Sequence, residues 1–135
     1  MTYLTVMKQD GTGVLHFGRG AVTGAEILAI ESQNANMINR STKLNHMLID
    51  FSEVISIDVT SEEVQQLVLI NQEEAKLLKV VFVAVAAPSD LTYGISRMYA
   101  GYMRIPGWVI QVFRTRIEAE NWLKQSLNHP LSESE

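Results

Sequence analysis

The chain of 135 residues contains no cysteine. That absence removes a disulfide framework, a thiolate nucleophile and a cysteine metal site at once, and leaves the redox compartment open, with the cytoplasm as the expected setting. Long apolar runs are also missing. No segment approaches the ~18 uninterrupted apolar residues of a membrane span, and the opening residues MTYLTVMKQDGTG lack the basic stretch and apolar core of a secretory leader. A soluble, unprocessed chain with no membrane span is expected. Histidine is scarce: His16, His46 and His129 stand apart without an i, i+4 ligand partner, which argues against a metal site. There is no Gly-x-Ser-x-Gly elbow and no phosphate-cradling loop, and the pair Gly18-x-Gly20 lacks the third glycine of a dinucleotide fingerprint. Asp50 and Asp58 can approach each other at a strand end, but paired acids without a base, metal or nucleophile do not make an active site. No catalytic residue, no cofactor and no enzyme activity are expected. Charge of one sign is not in excess either. Eleven basic and fifteen acidic side chains leave a net charge of -4, which excludes a general nucleic-acid binder.

What is present is one domain of alternating elements. A chain of this length hides roughly two thirds of its unfolded surface, enough for an ordinary core. Residues 1–128 are expected to form that domain, with 129–135 a flexible tail. Tyr3 to Lys8 and Val14 to Phe17 flank the turn residues Asp10-Gly11-Thr12-Gly13, the pattern of an antiparallel hairpin. Gly18 and Gly20 are expected to break the second strand. Thr23 and Glu26 are spaced as a capping box that opens the first helix, with Ile27, Ile30, Asn34 and Met37 at helical spacing and the polar run from Asn39 to Lys43 ending it.

His46 to Phe51 reads as a short strand, followed by a turn through Val54 towards Ile57 and Asp58. Thr60 and Glu63 form a second capping box. The helix behind it carries Val64, Leu67, Val68, Ala75 and Leu78 on one face. Val80 to Ala87, VVFVAVAA, has no polar residue, the signature of a strand covered on both faces, and is expected at the sheet centre. Pro88 stops it, and Ser89 or Asp90 caps a third helix with an apolar stripe of Leu91, Ile95, Met98, Tyr99 and Tyr102. Trp108 to Phe113 is a further strand. Thr115 and Glu118 make a third capping box before a last helix with Ala119, Trp122, Leu123 and Leu127 inward. The order β-β-α-β-α-β-α-β-α predicts an α/β fold: a mostly parallel five-stranded sheet with an N-terminal antiparallel hairpin, and four helices.

Leu48-Ile49-Asp50-Phe51-Ser52-Glu53-Val54 followed by Ile57-Asp58-Val59-Thr60-Ser61 resembles the STAS domains, the fold of sporulation anti-anti-sigma factors. In those proteins a strand ends in Asp-Leu-Ser-Gly-Val, and Met-Asp-Ser-Ser-Gly-Leu opens the next helix with a phosphorylatable hydroxyl. The stretch from Ala86 to Met98, then Val112 to Thr115 and Glu118 to Leu123, is similar to the bacterial SpoIIAA-like family. The resemblance implies a protein-binding switch. Sec14-type lipid-transfer relatives imply instead a carrier of a small amphipathic ligand, held here between the second and third helices.

Carried over by position, Asp58 matches the acid of the switch motif, Thr60 falls on the phosphoacceptor and Ser61 replaces the glycine after it. Glu62 and Glu63 oppose that role physically. A helix N-terminus offers roughly half a positive charge, and two carboxylates already sit in its first turn, so a phosphate of about two negative charges meets like charge there. Thr60 is then better explained as an N-cap, with Thr60, Asp58 and Ser61 retained as the candidate switch residues. Between Leu91 and Ile117 there is no acidic residue, whereas Arg97, Arg104, Arg114 and Arg116 all fall there. Either they are solvated or paired with the acidic first and second helices, or Tyr93, Arg97, Met98 and Arg104 line a ligand or partner surface. A protein partner, or a second copy of the chain in a homodimer, would then dock there or along the strand before the second helix.

Overall fold

A computed structural model describes residues 2–40, 43–76 and 80–128. Nine elements follow in the expected order: β1 (Tyr3–Met7), β2 (Gly13–Thr23), α1 (Gly24–Arg40), β3 (His46–Asp58), α2 (Ser61–Ala75), β4 (Val81–Ala86), α3 (Asp90–Tyr102), β5 (Trp108–Phe113) and α4 (Arg116–Asn128). The strands lie in chain order, β1-β2-β3-β4-β5. β1 pairs antiparallel with β2, and the remaining neighbours are parallel. Asp10 holds the hairpin turn through hydrogen bonds from the Thr12 amide (3.0 Å) and hydroxyl (2.7 Å).

Chain order decides the layers. Each right-handed crossover between adjacent parallel strands puts its helix on the same side, so α1, α2 and α3 share one face. There Ile27, Ile30, Ile38, Val64, Val68 and Tyr99 meet Val81, Val83 and Val85. α4 follows the last strand, makes no crossover, and lays Ala119 and Leu123 against Phe82, Ala84 and Ala86 on the opposite face. β4 is therefore buried on both sides, as its composition required, although β3 and not β4 is the central strand.

Two strand ends and the facing of one helix differ from the sequence reading. β2 does not break at Gly18 and Gly20 but runs on to Thr23, with register shifts between Phe17 and Arg19 and between Gly20 and Ala21. Gly20 adopts φ +71°, which a glycine takes at little cost and which lets the strand bulge and continue. β3 likewise continues through the expected turn to Asp58, so the two strands form a ribbon beyond the rest of the sheet. On α3 the buried positions are Thr92, Ser96 and Tyr99, while Leu91, Met98 and Tyr102 point outward. Of the expected stripe Ile95 and Tyr99 join the core, while Thr92 and Ser96 take the other inward positions. Leu78 and the tail from His129 lie outside the described residues.

The capping signals place three helix starts. Thr60 accepts from the Glu63 amide (3.1 Å) and Glu63 from the Thr60 amide (2.9 Å), a complete box. Thr115 accepts from the Glu118 amide (3.2 Å), and Ser89 rather than Asp90 caps α3, accepting from the Thr92 amide (3.1 Å). At α1 only half the box forms. Thr23 accepts from the Glu26 amide (3.2 Å), but the Glu26 carboxylate accepts from the amides of Thr2 and Tyr3 and from the Thr2 hydroxyl, fastening β1 to α1.

Candidate functional site

In open α/β sheets, ligands bind outside the carboxyl ends of the strands. Here that rim is built by β3, β4 and β5 running into α2, α3 and α4. Asp50 is buried at its base. One carboxylate oxygen accepts from the Ser52 amide (2.8 Å) and the other from Arg116 Nη1 (2.9 Å). Arg116 also binds Glu120 through Nε (2.8 Å). Arg114 donates to Asp90 (2.9 Å) and to the Pro88 carbonyl (3.1 Å), with its guanidinium 4.0 Å from the Tyr93 ring centre. Two of the four arginines thus pair with acids of β3, α3 and α4, and not with α1 and α2. Among the described residues Arg97 and Arg104 have no carboxylate partner.

The structure brings Tyr93 and Arg97 together but leaves Met98 and Arg104 apart from them in contact terms. Arg97 Nη1 reaches the Tyr93 hydroxyl at 3.5 Å, and its guanidinium lies 5.9 Å from that ring centre. Arg97 is exposed, Met98 lies on the outer surface of α3, and Arg104 donates to the Gly101 carbonyl (3.1 Å). None of these four lines either of the two main cavities. Asp58, Thr60 and Ser61 are all exposed at the β3–α2 junction. The Glu63 carboxylate that caps α2 also lies against the start of α1: a Cβ added to Gly24 would lie 2.2 Å from its Oε1.

A buried polar network on the three-helix face went unread in the sequence. Tyr3 donates to Glu31 (2.8 Å), Asn71 donates to Glu31 (3.4 Å) and Glu74 (2.9 Å), and Tyr99 donates to Asn71 (2.6 Å). His16 stacks on Tyr3 with centroids 5.9 Å apart and brings Nε2 to 3.9 Å from Glu31, while its Nδ1 meets the Thr5 hydroxyl at 2.9 Å. Burial pushes the Glu74 carboxyl up to about 8; the charge of Glu31 adds to the shift, and the bond from Asn71 opposes it. Burial first, and Glu31 second, raise the Tyr3 and Tyr99 hydroxyls well above the ordinary phenol range. Glu74 Oε2 and Ser96 Oγ are buried with no hydrogen-bond partner among the described residues. The signal was positional. Glu31 lies four residues after Ile27, Asn71 seven after Val64, and His16 two after Val14, so each polar group sits where the repeat reserves a core position.

Thr5, His16 and Glu31 have the residue types of a nucleophile, a base and its orienting acid. The 3.9 Å gap from His16 to Glu31 exceeds hydrogen-bond reach, and neither Thr5 nor His16 lines the cavity under the three helices or the groove beside α4. The space enclosed by α1, α2, α3 and the sheet is about 40 Å³, bounded by Ile27, Val64, Ile95 and Tyr99. A groove of about 390 Å³ lies on the other face, between α4 and the β1–β2 hairpin. Among the described residues no group of three or more potential ligands is placed to hold a metal ion, and no helix is long and apolar enough to cross a membrane.

The five-stranded mixed sheet in chain order, with three helices on one face and one on the other, is the SpoIIAA-like fold. The chain is similar to the crystal structure of an uncharacterised protein from the DUF3478 family with a SpoIIAA-like fold, from Shewanella loihica PV-4. The TM-score is 0.55 at 15% identity, over 90% of this chain and 94% of that one. No protein-family model and no curated protein matches the chain. The fold expected from the STAS resemblance is therefore the fold found.

Proposed function

We propose that the chain is a non-enzymatic, STAS-like binding module whose protein partner adds an extended segment to the free edge of β3 between Phe51 and Asp58. The observation that carries this reading is the unequal length of the strands. β3 pairs with β4 only as far as Asp50 opposite Ala86, whereas its pairing with β2 continues to Asp58 opposite Thr23. Past Asp50, alternate backbone N–H and C=O groups of β3 therefore point away from β2 with no strand beside them among the described residues, the arrangement that strand addition completes. Ile55, 88% exposed on this ribbon, supplies an apolar anchor. Exposed Glu53, Asp58 and Glu62 favour a basic partner segment by charge complementarity.

A lipid carrier with its ligand between α2 and α3 has less support. The space there is about 40 Å³, against ~300 Å³ or more for ordinary ligand pockets. The test is affinity capture from the native lysate with the wild type, Ile55→Asp and, as control, Ile117→Asp, which alters another exposed isoleucine, on α4. One polypeptide held by the wild type and by Ile117→Asp but lost from Ile55→Asp is the expected result. Equal retention by Ile55→Asp, or no retained polypeptide, overturns the reading.

A further inference from the structure

We infer that the groove between α4 and the β1–β2 hairpin binds a small amphipathic carboxylate, its apolar body against Leu15, Leu48 and Leu127 and its anionic head at Lys8 and Lys124. The groove exists because α4 covers only part of its face. It packs on β3, β4 and β5 and leaves β1 bare, with Leu4 37% and Val6 50% exposed. The open space of about 390 Å³ is of small-molecule size, within the ~300–1,000 Å³ range of ligand pockets. Its lining is divided by chemistry. Val6, Leu15, Leu48 and Leu127 are apolar, and Lys8, His46 and Lys124 are basic.

The other charges of the groove are already matched. Arg116 is held by Asp50 and Glu120 at one end. Lys8 and Lys124 form no ion pair among the described residues. The nearby Asp10 carboxylate is engaged by Thr12. Lys8 Nζ instead donates to His46 Nε2 at 3.5 Å, and His46 Nδ1 faces the Asn45 side-chain oxygen at 2.7 Å, so the only polar partner of Lys8 among the described residues is neutral. Burial and, next, the Lys8 charge push the His46 imidazole below its ordinary range. Gly13 makes this approach possible: a Cβ there would lie 2.2 Å from His46 Nε2 and 2.6 Å from Lys8 Cδ. A carboxylate seated at this pole accepts from the Lys8 ammonium, in a groove whose lining also carries Lys124, without an ion pair among the described residues. A neutral amphiphile lacks that head, and a cationic one is repelled. The apolar wall selects a chain over a bare anion.

The probe is sodium decanoate below its micelle concentration, titrated into the full chain and followed by amide NMR and calorimetry, with decanol and acetate as controls. Saturable shifts at Lys8, Gly13, His46, Lys124 and Leu127 are expected, with the His46 titration moving to higher pH as decanoate binds. The double variant Lys8→Ala/Lys124→Ala should bind about tenfold more weakly or worse. Both lysines are exposed, so the variant keeps the fold. Ile55→Asp, which tests the β3 edge, should bind decanoate unchanged. Shifts centred on the space under α1, α2 and α3 overturn the assignment, as does decanol binding as tightly as decanoate. Acetate alone reproducing the shifts, no saturable binding, or unaltered affinity of the double variant overturns it equally.

Discussion

Replacing Glu74 with glutamine should flatten the dependence of stability on pH. The folded carboxyl titrates at about 8, against an ordinary value of 4.5. Between those values the folded protein holds a proton that the unfolded chain has released, so stability falls as pH rises. The contribution is fully present below the ordinary value and is lost as pH passes the folded one. One proton changes the unfolding free energy by about 1.4 kcal/mol per pH unit, so this carboxyl alone removes about 4 kcal/mol between about pH 5 and pH 8. Domains are stable by only ~5–15 kcal/mol, so the loss is large enough to measure.

Glu74→Gln keeps an oxygen for the Asn71 amide, which donates at 2.9 Å, and places a neutral group where Oε2 has no partner among the described residues. The assay is urea unfolding at a series of pH values, followed by the fluorescence of Trp108 and Trp122. The variant should gain on the wild type steadily as pH rises, and the gap between the two profiles should reach several kcal/mol by about pH 8. Parallel profiles would refute the reasoning, because they would mean that Glu74 is ionised in the folded protein throughout.

Thr60→Ala removes the acceptor of the Glu63 amide and should cost about 1 kcal/mol in urea unfolding without altering the circular dichroism of the folded state. Two glycine substitutions should move in opposite directions. Gly13→Ala pushes a methyl group into His46 and Lys8 and should lower stability by about 1–3 kcal/mol. Gly94→Ala, in α3 with no atom within 4 Å of the added carbon, should raise it by up to ~1 kcal/mol, read as a higher thermal midpoint.

Much of the fold was legible because local chemistry specified it. The unbroken apolar run of β4 required cover on both faces, and Thr60 with Glu63 marked the start of α2 through two reciprocal backbone bonds. The candidate sites were less legible. Tyr93 and Arg97 do meet, since four residues along a helix are neighbours, but the stripe of Leu91, Met98 and Tyr102 turned outward because α3 docks through Thr92 and Ser96. Gly18 and Gly20 looked like an end to β2 and proved to be a bulge within it, since β3 offers a partner as far as Thr23.

The sequence by itself determined the order of elements, the helix starts at Thr60 and Thr115, the start of α3 to within Ser89 or Asp90, and the alternation that makes a mostly parallel sheet, all of which depend on residues a few positions apart. Tertiary structure alone decided which polar groups became core. Glu31 and Asn71 are separated by forty residues, and only the docking of α1 against α2 brings them into one network and raises Glu74. It also decided what was left open. β3 outruns β4, and α4 stops short of β1, because the lengths of elements far apart in the chain are compared only when they pack. The free ribbon edge at Ile55 and the groove at Lys8 and Lys124 are the consequences of those two mismatches.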